Sequence, residues 1–188
     1  LLGGMTITSL LWWQTLSSKF QTIAQAKPSP VQILTFIGVI LVFVQISLGG
    51  WTAATYSALI CPDFPFCRGS LAPSMDLSQG FSLMHPIGIN YEGGVLPEKA
   101  RIAIQMVHRY GAFIVTSYLI FLCSFLWRKA QGILLKRSVL AVAIILLIQL
   151  IFGILNIVWL LPISVAVLHN GFGLLLLLAI TNLYFFSK

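Results

Sequence analysis

The sequence predicts an all-α membrane protein, a four-helix transmembrane bundle built from two repeat-related hairpins and preceded by a partial N-terminal helix. Of the 188 residues, 59% are hydrophobic and only 8% are charged, whereas soluble domains carry roughly 25% charged residues. The charges leave four apolar runs long enough for spans of about 20 residues. These runs pair into two hairpins that repeat the same polar residues, which predicts a pseudo-symmetric bundle.

The N-terminal part predicts one incomplete and one complete span. Residues 1–16 are apolar but short, and no charged segment precedes them. We therefore expect the remnant of a preceding transmembrane helix, not a signal peptide, with a short interfacial helix as the alternative. Residues 17–30 are polar and predict a cytoplasmic loop, and residues 31–53 carry no charge and predict the first complete span.

After its first span, the four-helix domain, residues 31–188, contains one long hydrophilic segment and three further spans. Residues 61–100 hold all four acidic residues and predict an external loop with short helical pieces. The next span is predicted at 102–127. The charge-free segment 138–187 is long enough for two spans, and Pro162 predicts the turn between them because proline cannot continue a helix. Those two spans are predicted at residues 139–160 and 163–186.

The distribution of charge predicts the orientation of the bundle. The segments 17–30 and 128–138 and the C-terminus fall on one side of four spans and contain seven basic residues and no acidic one: Lys19, Lys27, Arg128, Lys129, Lys136, Arg137 and Lys188. That side is expected to be cytoplasmic, so loop 61–100 faces the periplasm of a bacterial inner membrane. The net charge of +7 does not indicate a nucleic-acid partner, because the basic residues are dispersed between spans and form no stripe.

An internal repeat places one histidine in each hairpin. The first helix of each carries glutamine followed by glycine four residues later, and the second carries histidine followed closely by glycine. The pairs are Gln45 and Gly49, Gln149 and Gly153, His108 and Gly111, and His169 with Gly171 and Gly173. Helix starts at Arg101 and Pro162 would put both imidazoles roughly 10 Å below the outer end of their helices.

Two histidines at matched depth predict axial ligands of a heme iron. Facing helices of a bundle commonly hold heme in this way, and Gly111, Ala112, Gly171 and Gly173 would leave room for the macrocycle. The alternative for each histidine is an interhelical hydrogen bond, which is also the role expected of Gln45 and Gln149. Arg109 is expected to pair with a heme propionate or to extend to the membrane interface, and His85 is expected to be a surface histidine.

Three cysteines have different expected roles. Cys61 and Cys67 flank five residues on the predicted outer side, where disulfides persist, so a disulfide is favoured over half of a zinc site. Cys123 lies alone inside a span and is expected to be an inert packing residue.

Several motifs resemble one family. QISLGGWTAATYSALICPDFPFCRGSL, MDLSQGF, MVHRYGA and GILNIVWLLPISVAVLHNGFG are similar to the C-terminal half of heme A synthase of the proteobacterial and mitochondrial type, from Val31 onward. LLGGMTITSLLWW resembles the end of the fourth helix of that family. The resemblance implies eight membrane helices in two halves and oxidation of the C8 methyl of heme O to the formyl of heme A.

The resemblance also implies roles for individual residues. His108 and His169 correspond to the C-terminal histidine pair, ligands of a heme b, and Cys61 and Cys67 to the cysteine pair of the outer loop. The implied partners are heme O as substrate, membrane lipid, the N-terminal half, heme O synthase and an electron donor. Catalytic residues are not assigned, because the family places them in the N-terminal half, so we expect this chain alone to be inactive.

Two other functions stay open from the residues themselves. A non-enzymatic electron-transfer subunit of the cytochrome b type would share the two-histidine bundle but should lack the CPDFPFC loop. A helical assembly protein without a cofactor would use the histidines only for hydrogen bonds between helices.

Overall fold

A computed structural model describes residues 1–20, 29–82, 96–129 and 132–187. Over these ranges the chain forms six helices and no named strand: α1 (Leu2–Lys19), α2 (Pro30–Ala54), α3 (Leu77–Gly80), α4 (Glu98–Lys129), α5 (Ile133–Val158) and α6 (Ile163–Phe186). Among them α2, α4, α5 and α6 are long and apolar enough to cross a membrane. The all-α fold and the four spans are therefore confirmed, and the chain is an integral membrane protein.

The helices extend beyond the predicted spans at most ends. α4 begins at Glu98, not at the expected Arg101, and α5 begins at Ile133, within the segment 128–138 predicted as a loop. α1 similarly continues to Lys19. The helices are longer than the predicted spans because charged residues mark where a span leaves the membrane, whereas the helical backbone hydrogen bonds can continue into water. Basic residues in the last turn, such as Lys129 in α4, are also favourable at a helix C-terminus.

Local chemistry sets the start of α2 and the turn after α5. The hydroxyl of Ser29 accepts the Gln32 amide N–H at 3.2 Å, and the Gln32 side chain accepts the Ser29 N–H, forming a capping box. At the other turn Leu160 and Leu161 have φ of 55° and 62°, and Pro162 is the N-cap of α6. The predicted turn at Pro162 is confirmed.

The four long helices form a ring. α2 packs against α4 and α6, and α5 packs against the same two helices, while α1 lies mainly on α6. Each hairpin, α2 with α4 and α5 with α6, therefore meets the other along two edges. This arrangement puts α4 and α6, the two histidine helices, across a diagonal of the bundle.

The bundle has a tightly packed half and a looser half. We call residues 30–42, 115–129, 133–146 and 173–186 the closed half, and residues 43–54, 98–114, 147–158 and 163–172 the histidine half. The main apolar core lies in the closed half, with side chains from all four helices: Val42, Val115, Leu119, Leu122, Leu126, Val139, Val142, Leu146, Leu176, Leu177, Ile180 and Leu183. Both histidines therefore lie outside this core.

Candidate functional site

His108 and His169 occupy equivalent places in the two hairpins. A Cβ added to Gly49 of α2 would lie 3.2 Å from Cε1 of His108, and one added to Gly153 of α5 would lie 3.2 Å from Cε1 of His169. Each imidazole thus packs against a glycine of the neighbouring helix, where any side chain would displace the ring. The histidines and glycines that repeat in the sequence therefore make equivalent contacts in the two hairpins.

The two glutamines bind the histidines of their own hairpins. Nε2 of Gln45 lies 3.0 Å from Nδ1 of His108 and donates to the main-chain oxygen of His108 at 2.9 Å. Nε2 of Gln149 lies 3.4 Å from Nε2 of His169. Both are interhelical hydrogen bonds, as expected from the sequence. Within the described ranges, Nε2 of His108 has no hydrogen-bond partner, and Nδ1 of His169 is buried without one.

The glycines near the histidines differ in what surrounds them. A Cβ at Gly111 would lie only 2.3 Å from Oε1 of Gln45, so this glycine makes room for the glutamine amide. A Cβ at Gly173 would lie 3.5 Å from Nε2 of Gln149, and one at Gly171 would meet nothing within 4 Å. The space beside Gly111 is thus occupied by protein, whereas Gly171 is an exposed residue of α6. Gly49 and Gly153 contact the rings directly, a role that their spacing from the glutamines alone did not reveal.

Unpaired polar atoms collect in the histidine half. The buried side-chain atoms without a partner in the described part of the chain all lie there: Oε1 of Gln45, Gln105 and Gln149, Nε of Arg101 and Arg109, Oδ1 of Asn156 and Nδ1 of His169. Each such atom costs about 1–3 kcal/mol, and native proteins keep few of them. These atoms lie in the half of the bundle that carries both imidazoles, where a polar ligand would give them partners.

The metal-binding side chains of the histidine half suit a metal whose other ligands come from a cofactor. The described residues contain no cluster of three or more histidine, cysteine or acidic side chains able to hold a metal ion, and structural zinc sites use four. Two imidazoles supply the two axial positions that heme iron leaves to a protein. The histidine half therefore fits heme.

Arg109 faces the outer loop. Its Nη1 donates to the main-chain oxygen of Asp63 at 2.8 Å and to that of Phe66, and its Nη2 donates to that of Cys61 at 2.6 Å. The guanidinium also lies 5.9 Å from the centre of the Phe64 ring, a cation–π distance. Nε is the one nitrogen of this guanidinium that is buried without a partner. Arg109 thus holds the loop on α4.

A disulfide closes the loop that Arg109 holds. Cys61 and Cys67 are bonded, as predicted, and both are fully buried against Ile102 and Met106 of α4. Inside this ring the Asp63 carboxylate accepts the N–H groups of Arg68 and Gly69, each at 2.7 Å. The loop is therefore covalently closed, internally hydrogen-bonded and packed on the helix that carries His108.

The remaining predicted residues lie apart from this site. Cys123 is a free, buried cysteine of the closed half, as expected. Beyond the disulfide loop, the indole N–H of Trp51 donates to the main-chain oxygen of Gly80 at 2.9 Å, which ties α3 to the outer end of α2. His85, predicted as a surface residue, lies outside the described residues.

Comparison with known proteins gives one family. Residues 1–181 match the COX15-CtaA family, described as cytochrome oxidase assembly protein. The heme A synthase of Shewanella oneidensis is 36% identical over 99% of this chain and 56% of its own length. Those of Neorickettsia sennetsu and Rickettsia prowazekii are 30% and 25% identical, over 73% and 100% of this chain and 38% and 52% of their own lengths. The chain thus spans about half the length of these relatives. No solved structure matches it.

Proposed function

The chain belongs to the COX15-CtaA family of cytochrome oxidase assembly proteins, and from that membership we propose that it is the heme-b-binding, C-terminal half of a heme A synthase. The observation that carries the proposal is the pair of histidine–glutamine–glycine sites, one in each hairpin, whose histidines lie on the two diagonal helices of the bundle. Similarity to heme A synthases over most of the chain supports the same function.

His108 and His169 are the proposed axial ligands of the heme iron. Held by both imidazoles, a heme would supply electron transfer and not oxygen activation. Gly49 and Gly153 let the rings lie close to α2 and α5. The buried Nε of Arg109 has no partner among the described residues and would be available to a heme propionate, while Nη1 and Nη2 bind the loop.

In the complete enzyme, the C8 methyl of heme O is oxidised to the formyl of heme A, and this half would carry electrons for that oxidation. All four acidic residues of this chain lie in residues 61–100, and the one that belongs to a spanning helix, Glu98, is in the exposed first turn of α4, so no carboxylate follows deeper in the spans to take a proton from the substrate. We therefore place the substrate site in an N-terminal half. The further partners are heme O synthase, an electron donor and the lipid of a bacterial inner membrane, with loop 61–100 periplasmic and Lys188 cytoplasmic.

The experiment is a heme spectrum of the purified chain. We expect one low-spin b-type heme, which becomes high-spin or is lost in His108→Ala and in His169→Ala, while His85→Ala keeps the wild-type spectrum. A low-spin spectrum that survives loss of both histidines would contradict the site. A purified chain without heme would favour the assembly protein that has no cofactor.

Heme extraction separates the enzyme from an electron-transfer subunit. Co-expression with a heme O source and the N-terminal half as a separate polypeptide should yield heme A, and the chain alone should not. Heme A made by the chain alone would contradict the assignment of the substrate site to an N-terminal half. Bound heme b with no heme A under any combination would favour the cytochrome b alternative.

A further inference from the structure

The two hairpins hold their histidines differently, although their sequences repeat. Gln45 makes two bonds of ordinary length to His108, at 3.0 Å to Nδ1 and 2.9 Å to the main-chain oxygen. Gln149 makes one long contact of 3.4 Å to a ring nitrogen of His169, whose other nitrogen is buried without a partner. Hydrogen bonds weaken at such lengths. The imidazole of His108 is therefore held more firmly by its glutamine than that of His169 is.

The surroundings of Gln45 are shaped to keep its amide in place. A Cβ at Gly111 would lie 2.3 Å from Oε1 of Gln45, so the missing side chain leaves room for the amide. Gly49, one turn further along α2, packs against the ring of His108. In the second hairpin the equivalent contact is looser, since a Cβ at Gly173 would lie 3.5 Å from the Gln149 amide. The asymmetry thus extends from the glutamines to the glycines that accommodate them.

An amide can serve a metal-bound histidine. It carries a donor and an acceptor, so it can bond Nδ1 in either tautomer of the ring. When the other ring nitrogen binds a metal, the proton of the neutral imidazole is on Nδ1 and needs an acceptor. In the structure Nε2 of Gln45 faces Nδ1, and turning the amide about its last side-chain bond would instead bring Oε1, which is buried without a partner, to accept that proton. A hydrogen bond of this kind orients the ring and makes it a more electron-donating ligand.

Building on the proposed heme site, we propose that Gln45 is its positioning residue. Gln45 fixes the ring of His108 and raises its electron donation to the iron, so His108 is the firmly held ligand. Gln149 does not do the same for His169, which is the more readily exchanged ligand.

The test compares glutamine variants of the heme-loaded chain, measuring the rate of heme transfer to apomyoglobin and the midpoint potential. Gln45→Leu should weaken heme retention about 10–100-fold, the usual effect of removing such a partner of a metal-bound histidine. It should also raise the midpoint potential, because a less electron-donating ligand stabilises ferric iron less. Gln149→Leu should weaken heme retention by less than about 10-fold. Gln14→Leu, at an exposed glutamine of α1, controls for the loss of an amide.

Gln45→Glu separates hydrogen bonding from packing. It keeps an oxygen acceptor, so it should restore retention and bring the potential to the wild-type value or below. If it behaves like Gln45→Leu, or if Gln45→Leu behaves like the wild type, Gln45 is not a positioning residue. Equal effects of Gln45→Leu and Gln149→Leu would overturn the asymmetry. If Gln45→Leu does not fold, the potential of Gln45→Glu decides alone: an upward shift contradicts the proposal.

These outcomes are distinct from failure of the proposed function. A wild-type chain that binds no heme, or whose heme spectrum is independent of His108 and His169, removes the site itself. A wild-type chain with a normal two-histidine spectrum that is insensitive to Gln45 removes only this inference.

Discussion

At the scale of single residues, glycines decide which side chains can reach the site. Gly111 is the tightest case, because Oε1 of Gln45 occupies the position that a side chain would need. Gly50, five residues further along α2 than Gln45, has no such restriction, since a Cβ there would meet its nearest neighbour, Leu1, at 3.8 Å. The two glycines give a matched pair for testing the packing.

We expect Gly111→Ala to disrupt the site and Gly50→Ala to leave it intact. The added methyl at position 111 must displace the Gln45 amide, which releases the ring of His108. At Gly50 the methyl fits, and alanine favours a helix over glycine by up to about 1 kcal/mol. Thermal unfolding and the low-spin heme spectrum measure both effects. Equal stability and equal spectra in the two variants would show that the contact at Gly111 is unimportant.

Asp63 makes the outer loop sensitive to acid. The backbone N–H of Gly69, with further help from that of Arg68, holds the pKa of the Asp63 carboxyl below its usual 3.8, against a partial opposing effect of burial. A lowered pKa in the folded state means that the stabilisation is present above the unfolded value and is lost as the pH falls through the folded value.

We therefore expect the disulfide loop to loosen as the pH falls below about 3.8. For the measurement, the protein is exposed briefly to each acidic pH and fixed by cross-linking. The susceptibility of the loop to a protease is then assayed at neutral pH. Asp63→Asn should be looser than the wild type at neutral pH, and the difference should close in acid. A constant difference at every pH would exclude the carboxylate as the cause.

At the scale of elements, the disulfide loop and α4 form one unit. Four loop carbonyls bind the Arg109 guanidinium, and the two half-cystines pack on the same helix. The loop is thereby attached one residue away from His108. Arg68, by comparison, pairs with Glu98 at an exposed position, where ion pairs contribute little.

We expect Arg109→Lys to release the loop and Arg68→Lys to leave it docked. Lysine keeps the charge but lacks the planar fork that reaches several carbonyls at once. Hydrogen exchange of the amides in residues 61–71 should rise clearly in the first variant and change little in the second. Comparable exchange in both variants would mean that the disulfide and apolar contacts alone hold the loop.

At the scale of the whole molecule, the charge pattern predicts one orientation. Seven basic and no acidic residues lie on the segments 17–30 and 128–138 and at the C-terminus, and such segments face the cytoplasm. We expect reporters fused within 128–138 and after Lys188 to be cytoplasmic and one within 75–94 to be external. An external signal from segment 128–138 would reverse the orientation of the bundle.

The sequence by itself determined the fold class, the four spans, the histidine pair as candidates and the disulfide. These follow from local properties: the length of apolar runs, the positions of charges, the spacing of two cysteines and a repeat of glutamine, glycine and histidine. A span of sufficient length must be helical in lipid, because its backbone polar groups have no other partners there. Such conclusions do not depend on which helix meets which.

Only the tertiary structure decided how those residues meet. It placed α4 and α6 on a diagonal, turned Arg109 toward the loop, and filled the space beside Gly111 with the Gln45 amide. It also extended α4 and α5 past their charged ends. Each of these outcomes depends on the faces by which distant segments pack, and neighbouring residues on a helix differ in direction by about 100°. Adjacent residues such as His108 and Arg109 can therefore serve different partners, which no one-dimensional pattern separates.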